Sequence, residues 1–175
     1  ATTIEIKLRN MGLTSIEVCD NGSGIHQSNY SGLALKHHTS KLTTFDDLLS
    51  VSSFGFRGEA LNALCELSEN LTVITRRADE ALGTKLSFSP QQGGALVGQV
   101  VSPRSVGTTV TVQELFSRLP VRRSDFQRSI KRQFQKLVRV LQGYAIIATG
   151  VRLIVTNTQD DGEPGVGKSK VSNVI

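Results

Sequence analysis

Alternation of apolar and polar side chains dominates this chain and predicts a sheet with few helices. Residues 3–8 alternate in this way before a short turn, and residues 14–20 repeat the pattern, so the two segments predict a hairpin. Further strands are predicted at 71–76, 83–88, 98–101, 108–113 and 151–156.

Helical spacing of apolar residues is confined to a few segments. It predicts helices over 27–36, 45–49, 58–67 and 125–149, with Gly143 inside the longest of them. The Gly-, Asp- and Lys-rich residues 157–170 are typical of a loop. Together these strands and helices predict an α/β (α+β) two-layer sandwich, in which one mixed, mostly antiparallel sheet has its helices on one face.

The most informative motif is residues 18–24, Val-Cys-Asp-Asn-Gly-Ser-Gly, where a buried strand breaks into a glycine turn. The carboxylate of Asp20 only accepts hydrogen bonds, which suits the exocyclic amine of adenine; guanine presents a carbonyl there. Gly22 and Gly24 have no Cβ, so the backbone can pass close to a flat ring. An ordinary Asp-Asn-Gly turn is the alternative interpretation of this motif.

A second motif lies at residues 54–61, Phe-Gly-Phe-Arg-Gly-Glu-Ala-Leu, preceded by His-Thr-Ser-Lys at 38–41. A glycine-rich loop that leads into a helix leaves free backbone N–H groups at the helix N-terminus, which bind phosphate readily. A turn before an ordinary core helix explains this motif equally well. The candidate phosphate-binding and loop residues are Thr39, Ser40, Lys41, Gly55, Phe56, Arg57, Gly58, Glu59, Ala60 and Leu61.

Together these motifs resemble those of the MutL-type mismatch-repair ATPases of the GHKL superfamily. The Asp-Asn-Gly-Ser-Gly string is common to the superfamily, whereas Thr-Ser-Lys at 39–41 and Gly-Phe-Arg-Gly-Glu-Ala-Leu at 55–61 are typical of MutL. Gly-Thr-Thr-Val at 107–110 and the Leu-Pro-Val-Arg-Arg string at 119–123 also fit. The paired histidines and residues 126–131 most resemble the eukaryotic post-meiotic-segregation type, and the resemblance runs from Ala1 to about residue 157.

The resemblance implies a Bergerat ATP-binding fold over residues 1–157, with 158–175 as a loop and connection towards a further domain. It implies that Asp20 contacts the adenine amine and that Gly22 and Gly24 lie against the base, which Thr108 borders. Residues 39–41 would lie in a lid, and the backbone of 55–61 would contact the phosphates. The implied cofactors are ATP and Mg²⁺, and the implied reaction is attack of water on the γ-phosphate.

The resemblance also implies partners and a location. ATP would order the lid and join two such domains, so a partner MutL homologue and mismatched DNA are expected in the nucleus, and no membrane.

One element of the family pattern is expected outside this sequence. In the family a Glu-x-x-x-Asn-x-x-Asp-Ala helix supplies the general base and the Mg²⁺ ligand, and it precedes the strand that residues 1–6 resemble. The resemblance therefore places the general base upstream of Ala1. We expect a chain that lacks its first helix, with no catalytic base or metal ligand of its own and little ATP turnover.

Positive charge is concentrated in one segment of the chain. The net charge is +5, yet residues 118–139 hold eight Lys and Arg against one Asp. Arg128, Arg132, Lys136 and Arg139 recur on one face of the predicted helix, which suits DNA phosphates. A solvated helix surface is the usual meaning of such a run. A non-catalytic DNA-binding or dimerisation module with a vestigial pocket is accordingly the alternative function.

Residues 162–169 match the P-loop pattern G-x-x-x-x-G-K-S, so a P-loop NTPase is a second alternative. Only six residues follow Ser169 and they favour a strand, whereas a P-loop must open a helix, so we interpret the match as coincidence. The three histidines have no Cys or carboxylate partners at zinc spacing, and we predict no zinc site there. Cys19 and Cys65 are predicted to be reduced thiols.

Overall fold

The computed structural model describes residues 1–38, 58–160 and 169–173, which form one eight-stranded sheet and two α-helices. The strands are β1 (Thr3–Arg9), β2 (Ser15–Asp20), β3 (Asn70–Arg76), β4 (Gly83–Ser89), β5 (Ala95–Ser102), β6 (Gly107–Gln113), β7 (Arg152–Asp160) and β8 (Ser169–Asn173). The helices are α1 (Ala60–Leu67) and α2 (Pro120–Ile147).

Strand pairing makes the sheet mixed but mostly antiparallel. Its order is β5-β4-β3-β6-β2-β1-β7-β8, with β1 and β7 parallel and every other neighbouring pair antiparallel. Because side chains alternate between faces, residues opposite one another in register share a face. The register therefore aligns the apolar positions of neighbouring strands, as in the row Ile6, Val18, Val110 and Val73.

Both described helices cover this apolar face. Cys65 of α1 is fully buried in a cluster with strand residues such as Val73 and Leu86. Leu141 of α2 is buried with Leu8 and Val155 in an adjoining cluster. The prediction of a mixed, mostly antiparallel sheet with helices on one face is confirmed.

The opposite face of the sheet is mostly polar. On it, Lys7 of β1 forms ion pairs with Glu5 and Glu17, at 3.3 and 3.4 Å. Thr111 and Cys19 occupy the same face of β6 and β2. Neither described helix combines the length and the apolar character that a membrane crossing requires.

The predicted helix over 27–36 is wrong. The structure has a single 3₁₀ turn at Gln27–Asn29, followed by further turns. Tyr30 and Ala34 have helical spacing and are both buried, which explains the prediction. The intervening Ser31 and Gly32 are poor helix formers, so burial of two side chains does not enforce a helix here.

The boundaries of two later elements also differ from prediction. Helix α2 begins at Pro120 rather than residue 125, because proline suits the first helical position, where its missing N–H is not needed. The predicted loop over 157–170 is wrong at both ends: β7 runs to Asp160, and Ser169–Asn173 pair with it as β8. The sheet thus crosses the predicted boundary at residue 157. The predicted helix over 45–49 lies outside the described residues.

Candidate nucleotide site

Three polar side chains stand in one row where their strands end. Asp20 is opposite Thr108 in the β2–β6 register, and Thr108 is opposite Thr75 in the β6–β3 register. In-register pairs have Cβ atoms about 4.5–5.5 Å apart. The row continues the apolar positions of these strands, so it faces the helical layer. The structure therefore brings together two residues, Asp20 and Thr108, that the sequence predicts to contact a purine.

The glycine turn after Asp20 is held in a fixed shape. Asp20 Oδ1 accepts a hydrogen bond from the Gly22 amide at 2.7 Å, which closes a local turn. Gly24 has φ +76°, and a Cβ there would lie 2.3 Å from the Arg76 carbonyl oxygen. The Ile25 amide then donates to Thr75 Oγ1 at 2.9 Å. The turn is anchored to β3 while Asp20 retains lone pairs for a further donor.

Ala1 lies next to the same turn. A Cβ built at Gly22 would be 3.8 Å from the Ala1 Cβ. The Asn21 side chain accepts from the amides of Thr2 and Thr3 at 2.8 and 2.9 Å, so the start of β1 is tied to the glycine turn. The start of β1 therefore lies beside the candidate site.

Arg104 braces the same strand ends. Its guanidinium donates to the Asp20 carbonyl oxygen at 3.0 Å and to Thr109 Oγ1 at 3.0 Å. The Arg104 carbonyl in turn accepts from Arg76 at 3.0 Å. These bonds tie β2, β3 and β6 together beside the row, so Arg104 fixes the backbone that carries Asp20. Arg104 was not among the residues predicted from the sequence.

The predicted phosphate-binding residues are only partly described. Gly58 has φ +64° and lies outside α1, which begins at Ala60 after Glu59. The Glu59 side chain makes no capping hydrogen bond in the described part of the chain; it lies 3.5 Å from His37 Nδ1. The first-turn amides of α1, at Ala60 and Leu61, thus receive no cap from Glu59. Thr39, Ser40, Lys41, Gly55, Phe56 and Arg57 lie outside the described residues.

A cleft of about 580 Å³ opens beside the glycine turn. Gly24 and Ile25 form one wall, and Arg77 and Asp79 of the β3–β4 connection form the other. An ion pair with a 3.0 Å separation joins Arg77 to Asp79. Asp20 and Thr108 do not line this cleft, so it lies beside the row of Asp20, Thr108 and Thr75 rather than containing it.

The positively charged segment separates into structural and exposed side chains. Arg123 donates to the Leu13 and Leu115 carbonyls, at 2.8 and 2.7 Å, and pairs with Glu114, so it joins α2 to the sheet. Arg122 lies over the Phe116 ring, 5.0 Å from its centroid. The four side chains predicted to contact DNA are all exposed: Arg128, Arg132, Lys136 and Arg139.

The cysteines carry no reactive thiolate. Cys19 and Cys65 are both free cysteines. Burial raises the pKa of each thiol, so both stay protonated near neutral pH. Within the described ranges, no three His, Cys, Asp or Glu side chains converge as a metal site.

The chain is similar in sequence to eukaryotic mismatch-repair proteins. It is 48% identical over 163 residues to mismatch repair endonuclease PMS2 of Homo sapiens, covering 93% of this chain and 19% of that protein. It is 51% identical over 158 residues to DNA mismatch repair protein PMS1 of Arabidopsis thaliana, covering 90% and 17%. The chain thus spans about a fifth of the length of the human relative. No protein-family model matches the chain.

Solved structures agree with these relatives. The N-terminal domain of a DNA repair protein superposes with a TM-score of 0.79 at 41% identity, over 98% of this chain and 46% of that one. The Aquifex aeolicus MutL ATPase domain complexed with ADP superposes with a TM-score of 0.62 at 23% identity, over 98% and 57%. The fold is therefore that of a MutL-type ATPase domain. The chain belongs to the family of MutL-homologue mismatch-repair proteins, and its relatives above are PMS2 and PMS1 proteins.

Proposed function

We propose that this chain is the ATP-binding part of a MutL-type mismatch-repair ATPase. The observation that carries the proposal is the row of Asp20 and Thr108 on the helix-covered face, beside the turn that Gly24 allows. The Asp20 carboxylate accepts a hydrogen bond from the adenine amine. The Thr108 hydroxyl lies next to Asp20 and donates to the adjoining ring nitrogen. This pair of hydrogen-bonding groups fits adenine, and the amides at the start of α1 fit the phosphates of the nucleotide.

Substitution of Asp20 tests the proposal. In Asp20→Asn, Oδ1 still accepts from Gly22, so the side-chain NH₂ faces the adenine amine, donor against donor. We expect binding of a fluorescent, non-hydrolysable ATP analogue to weaken at least about tenfold, since a mismatched buried polar group costs that much. The measurement is fluorescence anisotropy on the full natural chain, with thermal unfolding as a check on folding.

Two variants complete this test. Asp125→Asn makes the same chemical change at an exposed position on α2 and should leave affinity unchanged. Lys168→Ala removes the lysine of the P-loop match. Residues 162–168 lie outside the described residues, but Ser169 begins strand β8, not the helix that a P-loop opens. Loss of binding in Lys168→Ala with full binding in Asp20→Asn would overturn the proposal in favour of a P-loop NTPase.

ATP turnover by residues 1–175 alone is expected to be little or none. The resemblance assigns the general base and the Mg²⁺ ligand to a helix upstream of Ala1 with the pattern Glu-x-x-x-Asn-x-x-Asp-Ala, which these residues do not contain. Phosphoryl transfer relies on such groups to position water and to neutralise charge. Turnover is measured as the release of phosphate from ATP in the presence of Mg²⁺, and Asp20→Ala is the control. Robust turnover that survives Asp20→Ala would contradict the site assignment.

We further propose that ATP binding orders the lid to which the resemblance assigns Thr39, Ser40 and Lys41, and joins two MutL-homologue domains on DNA, in the nucleus. The family supports this proposal, as do the exposed basic side chains of α2. The alternative is a non-catalytic DNA-binding or dimerisation module with a vestigial pocket. Such a module would bind DNA with a steep salt dependence but bind no nucleotide, so the anisotropy measurement separates the two functions.

A further inference from the structure

We propose that Thr75 is a positioning residue for adenine recognition: its hydroxyl anchors the glycine turn and sets the orientation of the Thr108 hydroxyl. This inference rests on the proposed function and goes beyond it. Thr75 is 0% exposed and follows Leu71 and Val73 on the buried face of β3. A polar side chain at such a position needs hydrogen bonds within the protein.

The Thr75 hydroxyl meets three groups. It accepts from the Ile25 amide at 2.9 Å, and it lies 3.3 Å from both the Gly107 carbonyl oxygen and Thr108 Oγ1. A hydroxyl has one proton, so Thr75 can donate to only one of the last two groups at a time. The choice decides what Thr108 offers to a ligand.

Two arrangements follow from this single proton. If Thr75 donates to Gly107, Thr108 can donate to Thr75, and then only its lone pairs face the ligand. If Thr75 donates to Thr108, the Thr108 proton is free to point at the ligand. Adenine carries its N1 acceptor beside its amine, so it needs a donor at Thr108 beside the acceptor at Asp20. Guanine presents the reverse order, a carbonyl beside an N1–H donor.

Adenine therefore selects the arrangement in which Thr75 donates to Thr108. Asp20 supplies one half of the discrimination between adenine and guanine, and the Thr75–Thr108 pair supplies the other half. The bond from Ile25 adds a second effect, because it fixes the turn that carries Gly22 and Gly24 beside the base. Loss of the Thr75 hydroxyl should reduce both affinity and base selectivity.

The test compares Thr75→Val with Thr75→Ser in the full natural chain. Valine keeps the shape and removes the hydroxyl, whereas serine keeps the hydroxyl. Affinities for non-hydrolysable ATP and GTP analogues are measured for each variant. We expect Thr75→Val to weaken ATP-analogue binding about tenfold and to reduce the ATP-over-GTP preference by at least about fivefold, with Thr75→Ser close to the unsubstituted protein.

The ratio of the two affinities is the decisive measurement, because partial unfolding lowers both affinities equally and leaves their ratio unchanged. An unchanged ratio in Thr75→Val would overturn the role of Thr75 while leaving ATP binding intact. Failure of the unsubstituted protein to bind either nucleotide would overturn the proposed function instead. A double substitution with Thr108→Val adds a further check: if Thr75 acts through Thr108, the two effects on the ratio are not additive.

Discussion

Gly107→Ala is expected to lower the unfolding temperature by about 10 °C and to abolish nucleotide binding. Gly107 has φ +130°, and a Cβ there would lie 2.1 Å from the Asp20 carbonyl oxygen and 2.9 Å from Asn21 Cα. Backbone strain of this kind costs about 1–3 kcal/mol, and forced repacking adds about 1–3 kcal/mol. In a domain of this size each kcal/mol shifts the midpoint by about 2–4 °C.

The effect on binding has a local cause. The added methyl group would push the end of β2 away from β6 at the residues where Asp20 and Thr108 stand side by side. We expect the ATP analogue to remain unbound even well below the lowered midpoint, where the variant is folded. Differential scanning calorimetry and fluorescence anisotropy on the same sample measure the two effects separately.

Gly93→Ala is the matched control for this substitution. Gly93 also has a positive φ, +63°, but nothing lies within 4 Å of a Cβ built there. Alanine at Gly93 thus adds the backbone cost, about 1–2 kcal/mol, without the collision. We expect a shift of only a few degrees and unchanged binding. Equal shifts of the unfolding temperature in the two variants would show that the ends of β2 and β6 can separate freely, contrary to the collision predicted at Gly107.

The sequence predicted the row at the strand ends only in part. Asp20 and Thr108 lie in motifs far apart in the chain, but each ends or begins an alternating apolar strand. Alternation assigns both residues to the buried face, and the family resemblance predicts that they lie in one site. Thr75 interrupts the Leu71–Val73 alternation at its third position, and a single polar residue in a buried series indicates a side chain that is hydrogen-bonded within the protein.

Other parts of the structure have no local signal. Arg104 lies in a Ser-Pro-Arg-Ser loop, and its hydrogen bond to Asp20 spans 84 positions in the chain. The pairing of β8 with β7 has none either: the residues after Ser169 favour a strand, but those between the two strands have a composition typical of a loop. Such contacts are set by the assembled sheet rather than by neighbouring residues. The start of α2 is a different case, because proline at the first helical position was a usable signal.

Removal of the exposed basic face of α2 is expected to reduce DNA affinity on the order of a hundredfold at low salt. The variant replaces Arg128, Arg132, Lys136 and Arg139 with glutamine. These side chains span eleven helical steps, or roughly 16 Å, which suits contact with a few successive phosphates. Each phosphate neutralised by the protein releases counterions and steepens the dependence of affinity on salt by about 0.9 on a double-logarithmic scale.

The salt dependence separates direct contact from a general effect of charge. A control variant replaces Arg9, Lys36, Lys85 and Arg152, all outside α2, with glutamine, so both variants lower the net charge from +5 to +1. If α2 contacts the phosphates, only the α2 variant should reduce the slope of DNA affinity against salt concentration, by about 3–4 on the double-logarithmic scale. The control variant should keep nearly the full slope. Equal losses of DNA affinity and slope in the two variants would mean that the α2 face is a solvated helix surface and that DNA affinity depends on net charge alone. Because Arg123 is committed to the Leu13 and Leu115 carbonyls, it stays unsubstituted, and α2 keeps its attachment to the sheet during the test.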